Sequence, residues 1–343
     1  VTLNDTFSVL KTLLKNNISG TSPTVGEFEN KLADRFERKH AVAVSNGSTA
    51  LDLAFQSLDL KEGDEVIVPS FTIISCLSAI IRAGATPVFC EVDNKSWNMT
   101  LNNVIDKKTN RTRAVLMVHL YGLAAEAEQI ENFCKDNNIY LIEDSAEAHG
   151  QMVNNRPCGS FGDISTMSFY ANKHITTGEG GAVLMNNTLY SNKIKSMRNL
   201  GFNNSKRFVH DNLFWNYRLG GLQAALGISQ IKNLDKTIKL KIKQGNFYNN
   251  LLESENQYLD TQLSSWNNVK NHYWVYGVLL KKADIRDEVM ENLSKKGIET
   301  RPFFWPLHLQ PVLSSGFPSS RSKLPISEKL GKDGLYIPVG SHI

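Results

Sequence analysis

Ser168-Phe-Tyr-Ala-Asn-Lys-His-Ile-Thr-Thr-Gly-Glu-Gly-Gly181 sets one lysine, Lys173, beside a glycine-rich turn, with strand-like apolar runs on either side at residues 164–168 and 182–185. A lysine amine in a partly dry pocket next to a carbonyl condenses with it, so Lys173 is a candidate for a covalent bond to a carbonyl-bearing cofactor. A solvated loop lysine is the competing reading. The neighbouring chain bears on the choice.

Outward from that turn the sequence alternates. Strand-like runs at 65–68, 87–92, 114–121 and 140–143 are interleaved with helix-like segments at 72–82 and 126–136. This rhythm predicts an α/β sheet covered by helices on both faces. Ligands of such sheets sit beyond the carboxyl ends of the strands. Asp144 stands at such an end in Leu141-Ile-Glu-Asp-Ser-Ala-Glu-Ala-His149, although capping of a following helix is an alternative role. Nearer the start, a strand at 40–45 runs into Asn46-Gly47-Ser48-Thr49-Ala50 and an amphipathic helix. That turn either presents free amides to an anion or closes as an ordinary N-cap at Asn46 or Ser48. Helices at 5–17 and 24–38 form an entry arm, and beyond residue 187 the spacing predicts helices at 189–199, 220–253 and 284–296 with a β-rich run at 272–280. The expected organisation is a large α/β domain over 1–235 and a smaller α+β domain over 236–343.

With 343 residues, 41% of them hydrophobic and 21% charged, the chain has the composition of an ordinary globular protein. A net charge of +4 is too small to suggest nucleic acid. Basic residues do gather at Lys193, Lys195, Arg198, Lys206, Arg207 and Arg218, either as a solvated helix face or as a site for an anionic diphosphate. The apolar run at 66–81 is interrupted by Pro69, Ser70, Thr72, Ser75 and Ser78, so no membrane span is expected. The opening Val-Thr-Leu-Asn-Asp shows no secretory signal, and a cytoplasmic location is expected. Cys76, Cys90, Cys134 and Cys158 lack metal-ligand spacing and read as reduced thiols, with no metal site.

Taken in order, Ser45-Asn-Gly-Ser-Thr-Ala-Leu51, Gly63-Asp-Glu-Val-Ile-Val-Pro-Ser-Phe-Thr72, Val118-His-Leu-Tyr-Gly122, Ile142-Glu-Asp-Ser-Ala-Glu-Ala148, Lys173 to Gly181, Asn216-Tyr-Arg218 and Gln223-Ala-Ala-Leu-Gly227 resemble the DegT/StrS family of nucleotide-sugar aminotransferases. The resemblance covers almost the whole chain. It implies an aspartate aminotransferase-like, fold type I transferase dependent on pyridoxal 5′-phosphate (PLP), with a mixed, mostly parallel sheet in the large domain. Lys173 would bind PLP as a Schiff base and shuttle the proton, and Asp144 would face the pyridine nitrogen. The Ser48 and Thr49 amides and the Ser168 hydroxyl would hold the phosphate, Glu147 would face the 3′-oxygen, and Ala146 would pack under the ring. Ile73 stands where the family usually has an aromatic residue over the other face.

The resemblance further implies transfer of an amino group from glutamate to a 4-keto-6-deoxy nucleotide-sugar, with Arg218 and His308 on the diphosphate. Asn216 would reach the PLP phosphate of a neighbouring subunit, giving a homodimer with shared sites. The apolar residues around it, Phe208, Leu213, Phe214, Trp215, Tyr217 and Leu219, suit an interface. A sugar dehydratase of the same family, in which histidine replaces the lysine, is one rival; a non-catalytic sensor of sugar nucleotides is another. The sequence stops at Gly340-Ser-His-Ile343 where relatives continue into a last helix, and its start looks shortened.

Overall fold

The computed structural model describes residues 1–202, 208–315 and 322–340. Two helices lead in, α1 (Leu3–Leu14) and α2 (Pro23–Arg35). A regular alternation follows: β1 (His40–Val44), α3 (Gly47–Ser57), β2 (Glu65–Pro69), α4 (Ile74–Arg82), β3 (Thr86–Cys90), α5 (Leu101–Ile105), β4 (Thr112–Val118), α6 (Ala127–Asp136) and β5 (Tyr140–Asp144). After a small hairpin, β6 (Met152–Val153) with β7 (Arg156–Pro157), come β8 (Ile164–Ser168), β9 (Gly181–Met185) and α7 (Thr188–Arg198).

The seven long strands form one sheet in the order β1-β9-β8-β5-β4-β2-β3. Only β9 runs against its neighbours, so the sheet is mixed and mostly parallel, as the sequence leads one to expect. Strands β2 and β9 are buried at every position, which is what a sheet covered on both faces demands of its apolar runs. This is the mixed sheet that the resemblance to fold type I transferases implies.

Helix α8 (Gly221–Leu252) then runs 32 residues, about 48 Å at the helical rise. Its first half packs Ala224 and Ile228 with Phe28 and Leu32 of α2. Its second half carries Tyr248 and Leu252 into a separate core around Tyr273, Tyr276 and Leu335. Residue 236 therefore lies within a continuous helix. Beyond it are β10 (Leu259–Thr261), the hairpin β11 (Ser265–Trp266) with β12 (Val269–Lys270), β13 (Tyr276–Leu280), α9 (Arg286–Lys295), β14 (Arg301–Pro302), α10 (Pro325–Asp333) and β15 (Gly334–Ile337). Four of these strands make an antiparallel sheet, β10-β13-β15-β14.

Two strands fall short of their expected ends by three residues or more. β4 stops at Val118 because Tyr121 and Gly122 turn left-handed, at φ 57° and 93°. A Cβ on Gly122 would stand 2.5 Å from the backbone nitrogens of Tyr273 and Trp274, so glycine lets the start of the small sheet touch this turn. β13 begins only at Tyr276, since Tyr273 is itself left-handed at φ 49°. All four cysteines are free and buried. Among the described residues no helix is long and apolar enough to cross a membrane.

Candidate active site

A cavity of about 350 Å³ opens beyond the carboxyl ends of β4, β5 and β8, where the starts of α3 and α4 and the edge of the small sheet meet. Asp144 is the last residue of β5 and is 4% exposed. Its Oδ1 accepts the Ala146 amide at 3.1 Å, and its Oδ2 receives the Cys76 thiol at 3.7 Å. Burial pushes its pKa up, against the pull of the Ala146 amide and of Lys173.

Lys173 enters from the turn after β8 with its side chain 8% exposed. Nζ lies 3.4 Å from Glu147 Oε1 and 3.6 Å from the centre of the Trp274 ring. Burial lowers its pKa, while the Glu147 and Asp144 carboxylates pull it back up. The other oxygen of Glu147 accepts the Tyr121 amide at 2.9 Å. Burial nevertheless raises the Glu147 pKa to about 7, despite Lys173. Burial thus displaces the lysine and the carboxyl group toward each other.

The start of α3 closes one side. Asn46 is its N-cap, with Oδ1 accepting from the Thr49 amide at 2.8 Å and the Thr49 hydroxyl at 2.9 Å. The expectation that Thr49 offers its amide to an anion is thus corrected: that donor is taken, and Thr49 is not among the cavity's lining residues. The amides of Gly47 and Ser48, the first two of the helix, have no acceptor within it and border the cavity. Ser168 faces them, and a Cβ on Gly47 would come within 2.7 Å of the Ser168 Cβ, so glycine sets this approach. Ala146 and Ile73 also line the cavity, the latter 41% exposed.

Other expected residues are elsewhere. His308 is not among the lining residues: its ring holds Ser70 Oγ at 2.6 Å and Glu328 Oε1 at 3.2 Å, with the side chain 3% exposed. Its assignment to a diphosphate is corrected to a buried link between α10 and the end of β2. Asn216 is exposed and Arg218 bonds Asn199 Oδ1 at 2.5 Å; neither borders the cavity of this single chain. Of the basic group, Lys193 pairs with Asp59 and Arg198 with Glu29, while Lys206 and Arg207 lie outside the described residues, as do residues 341–343.

Several lining residues escaped sequence reasoning. His119 follows β4; its Nδ1 accepts the Ala125 amide at 3.1 Å, which leaves Nε2 to donate to Glu143 at 2.9 Å. It stands in the motif Val118 to Gly122, whose one imidazole it is. Trp274, Arg301, Phe304 and Tyr336 arrive from the small sheet and carry no local signal.

Residues 3–343 match the DegT/DnrJ/EryC1/StrS aminotransferase family. The chain is 38% identical over 325 residues to the GDP-perosamine synthase of Escherichia coli O157:H7, covering 94% of this chain and 86% of that protein. It is 37% identical to the GDP-perosamine synthase of Vibrio cholerae, over 94% and 87% of the two chains. Among solved structures, an aminotransferase from Psychrobacter cryohalolentis superposes with a TM-score of 0.90 at 27% identity, over 99% of this chain and 92% of that one. An E. coli GDP-4-keto-6-deoxy-D-mannose-3-dehydratase with bound hydrated PLP gives 0.90 at 25% identity, over 98% and 92%.

Proposed function

The chain belongs to the DegT/DnrJ/EryC1/StrS aminotransferase family, and on that premise we propose that it uses PLP to move an amino group from glutamate onto a nucleotide-linked 4-keto-6-deoxy sugar, as in perosamine formation. One observation carries the proposal: Lys173, nearly buried and paired with Glu147, shares a cavity with Asp144, a carboxylate that has spare acceptor capacity. The residues fit PLP, since an under-bonded buried carboxylate suits a protonated ring nitrogen and free helix amides suit a phosphate. When bound, the group supplies an electron sink for breaking the C–H bond beside the transferred nitrogen.

Asp144 holds the proton on the ring nitrogen. Gly47 and Ser48 amides with the Ser168 hydroxyl bind the phosphate, and Ala146 and Ile73 bound the two ring faces. Glu147 takes and returns the proton of Lys173. Nζ of Lys173 would hold the cofactor covalently and, when free, move the proton at the substrate carbon. Trp274 lies over that nitrogen and excludes water.

The dehydratase reading needs a histidine in the lysine's place, and His174 is turned away: its Nε2 contacts the His272 carbonyl at 3.2 Å, and it does not border the cavity. Purified protein should be yellow, lose that absorbance with glutamate, and aminate one member of a panel of keto-sugar nucleotides. Colourless protein that binds no PLP would end the proposal. Cytoplasmic location fits four free buried thiols.

A homodimer with shared sites belongs to the same proposal. Leu213 is 99% and Trp215 68% exposed in the segment that carries Asn216, a costly display of apolar surface for a lone subunit. Mixing inactive Lys173→Ala protein with inactive Asn216→Asp protein should restore part of the activity, because one of the two sites is then free of both changes. No recovery despite verified subunit exchange would place Asn216 with its own subunit's cofactor.

A further inference from the structure

Behind Trp274 a second recess of about 240 Å³ adjoins the cavity, with Asn172, Trp274, Arg301 and Tyr336 lining both. Its inner wall holds Lys241 of α8, which is 6% exposed. Nζ of Lys241 donates to the Trp274 carbonyl at 2.8 Å. Burial lowers its pKa to about 8, and the charge that adds to this effect is another cation, Lys173; no carboxylate offsets it. Buried ammonium groups are ordinarily paired, and an ammonium has three donors, of which the Trp274 carbonyl takes one.

A single residue separates the two cations. The Trp274 ring lies 3.6 Å from Lys173 Nζ, its carbonyl takes Lys241, and its indole N–H is fixed on the Asn172 carbonyl at 3.1 Å. The Arg301 guanidinium stands at the mouth, and Glu299, which pairs with it at 3.0 Å, is 76% exposed. Summed over Lys241, Arg301 and Glu299, the recess keeps one uncompensated positive charge on its buried side.

We propose that this recess is an oxyanion subsite, in which Lys241 binds a charged oxygen group of a substrate while another part of the same substrate reacts at Lys173. This rests on the reading of the adjoining cavity as the amino-transfer site. Two sources carry the required chemistry, a carboxylate of the amino donor and the diphosphate of the sugar nucleotide. Each lies a few bonds from the atom it would bring to Lys173.

The holoenzyme should be titrated calorimetrically with glutarate, which has glutamate's two carboxylates but no amine, and with inorganic pyrophosphate, alongside Lys241→Met and Lys241→Arg variants. One probe should bind the wild type and lose about tenfold or more in affinity in Lys241→Met, with recovery in Lys241→Arg. Loss of glutarate with a raised KM for glutamate assigns the donor carboxylate. Loss of pyrophosphate with a raised KM for the sugar nucleotide assigns the diphosphate. Should Lys241 serve only to tie α8 to Trp274, Lys241→Met would lower the melting temperature and leave both affinities unchanged, which overturns the proposal. Wild type that binds neither probe overturns it as well. Charge-dependent probe binding in a protein that aminates nothing would instead fault the activity and leave the subsite standing.

Discussion

Glu143 and Asp144 are consecutive on β5, both buried, and in opposite condition. Strand alternation turns Glu143 to the face away from the cavity. There it accepts from His119 Nε2 at 2.9 Å, the Gly159 amide at 2.7 Å, the Phe161 amide at 2.9 Å and Ser165 Oγ at 2.6 Å, with the Arg38 guanidinium 4.0 Å away. Burial alone would raise its pKa, but the His119 bond, Arg38 and Ser165 bring it below the ordinary carboxylate value. Asp144 accepts the Ala146 amide at 3.1 Å and a distant thiol at 3.7 Å, and burial raises its pKa although the Ala146 amide, Lys173 and the Thr166 hydroxyl favour the charged form. A buried carboxylate with every lone pair engaged belongs to the scaffold. One with capacity to spare is built to receive something.

The difference can be broken most severely at Lys173, on the open side. Lys173→Ala should lower turnover by more than about a hundredfold, since both its covalent and its proton-transfer roles are lost. Its melting temperature should stay near that of the wild type in cofactor-free protein. A variant keeping more than about a hundredth of the wild-type rate would remove Lys173 from the chemistry.

On the closed side the cost should fall on stability. Glu143→Gln leaves the Arg38 guanidinium buried without its countercharge, and breaking such a pair destabilises by about 3–5 kcal/mol. Denaturant unfolding measures this, and the rate per folded molecule should change little. Asp144→Asn should do the converse, with unaltered or slightly higher stability and a turnover reduced well beyond about threefold, the factor below which less than about 1 kcal/mol of barrier is at stake. Equal destabilisation by both changes would erase the distinction between the two carboxylates.

Much of this was legible along the chain. The alternation of apolar strands and helices gave the sheet, because each strand is covered on both sides and has no freedom in its pattern. Ser48, Ile73, Asp144, Ala146, Glu147, Ser168 and Lys173 come to one cavity because they sit at strand ends or helix starts, which turn residues mark locally. Trp274, Arg301 and Tyr336 were not legible, for their position depends on how the small sheet docks about a hundred residues further on. Thr49 was misread because its amide is decided by one side chain, that of Asn46. His308 was misread because both of its partners, Ser70 and Glu328, are remote in sequence.

The same contrast holds among histidines and sets an acid limit. His119 uses both ring nitrogens, whereas His149 Nε2, His174 Nδ1 and His272 Nδ1 are buried without a hydrogen-bond partner among the described residues. Burial lowers His149 to about 3 and His272 to about 4, and His174 well below its ordinary value. The unfolded chain therefore binds more protons below pH 6.5, the ordinary histidine value, and stability is lost as pH falls from there toward 4. Each histidine adds a slope of up to about 1.4 kcal/mol per pH unit. Glu147, raised to about 7, acts with opposite sign between its ordinary 4.5 and that value in cofactor-free protein. Denaturant unfolding between pH 5 and 6 should show a shallower pH dependence in His149→Phe than in the wild type, by about 1 kcal/mol per unit. An unchanged slope would mean that the His149 ring is protonated in the fold.

The smallest expected effect concerns the cavity wall at Ile73. It is 41% exposed there, immediately before α4, so its branched side chain covers the opening incompletely. Phe71, two residues earlier, is no substitute: it is wholly buried, with ring contacts to Tyr121, Phe303 and Phe304. An aromatic ring at 73 would add a stacking contact worth about 0.5–1.5 kcal/mol, so Ile73→Tyr should tighten PLP binding by a few-fold to roughly tenfold. Equilibrium dialysis of the cofactor against wild type, Ile73→Tyr and Ile73→Leu reads this directly, and the leucine variant separates stacking from added bulk. Glu143→Gln, measured in the same way per folded molecule, should change the affinity less than Ile73→Tyr does, because of its partners His119 alone borders the cavity. Tyrosine that binds PLP no more tightly than leucine would show that the face above Asp144 is already closed by another group, with Tyr170, 44% exposed and lining the same cavity, the first to replace by alanine.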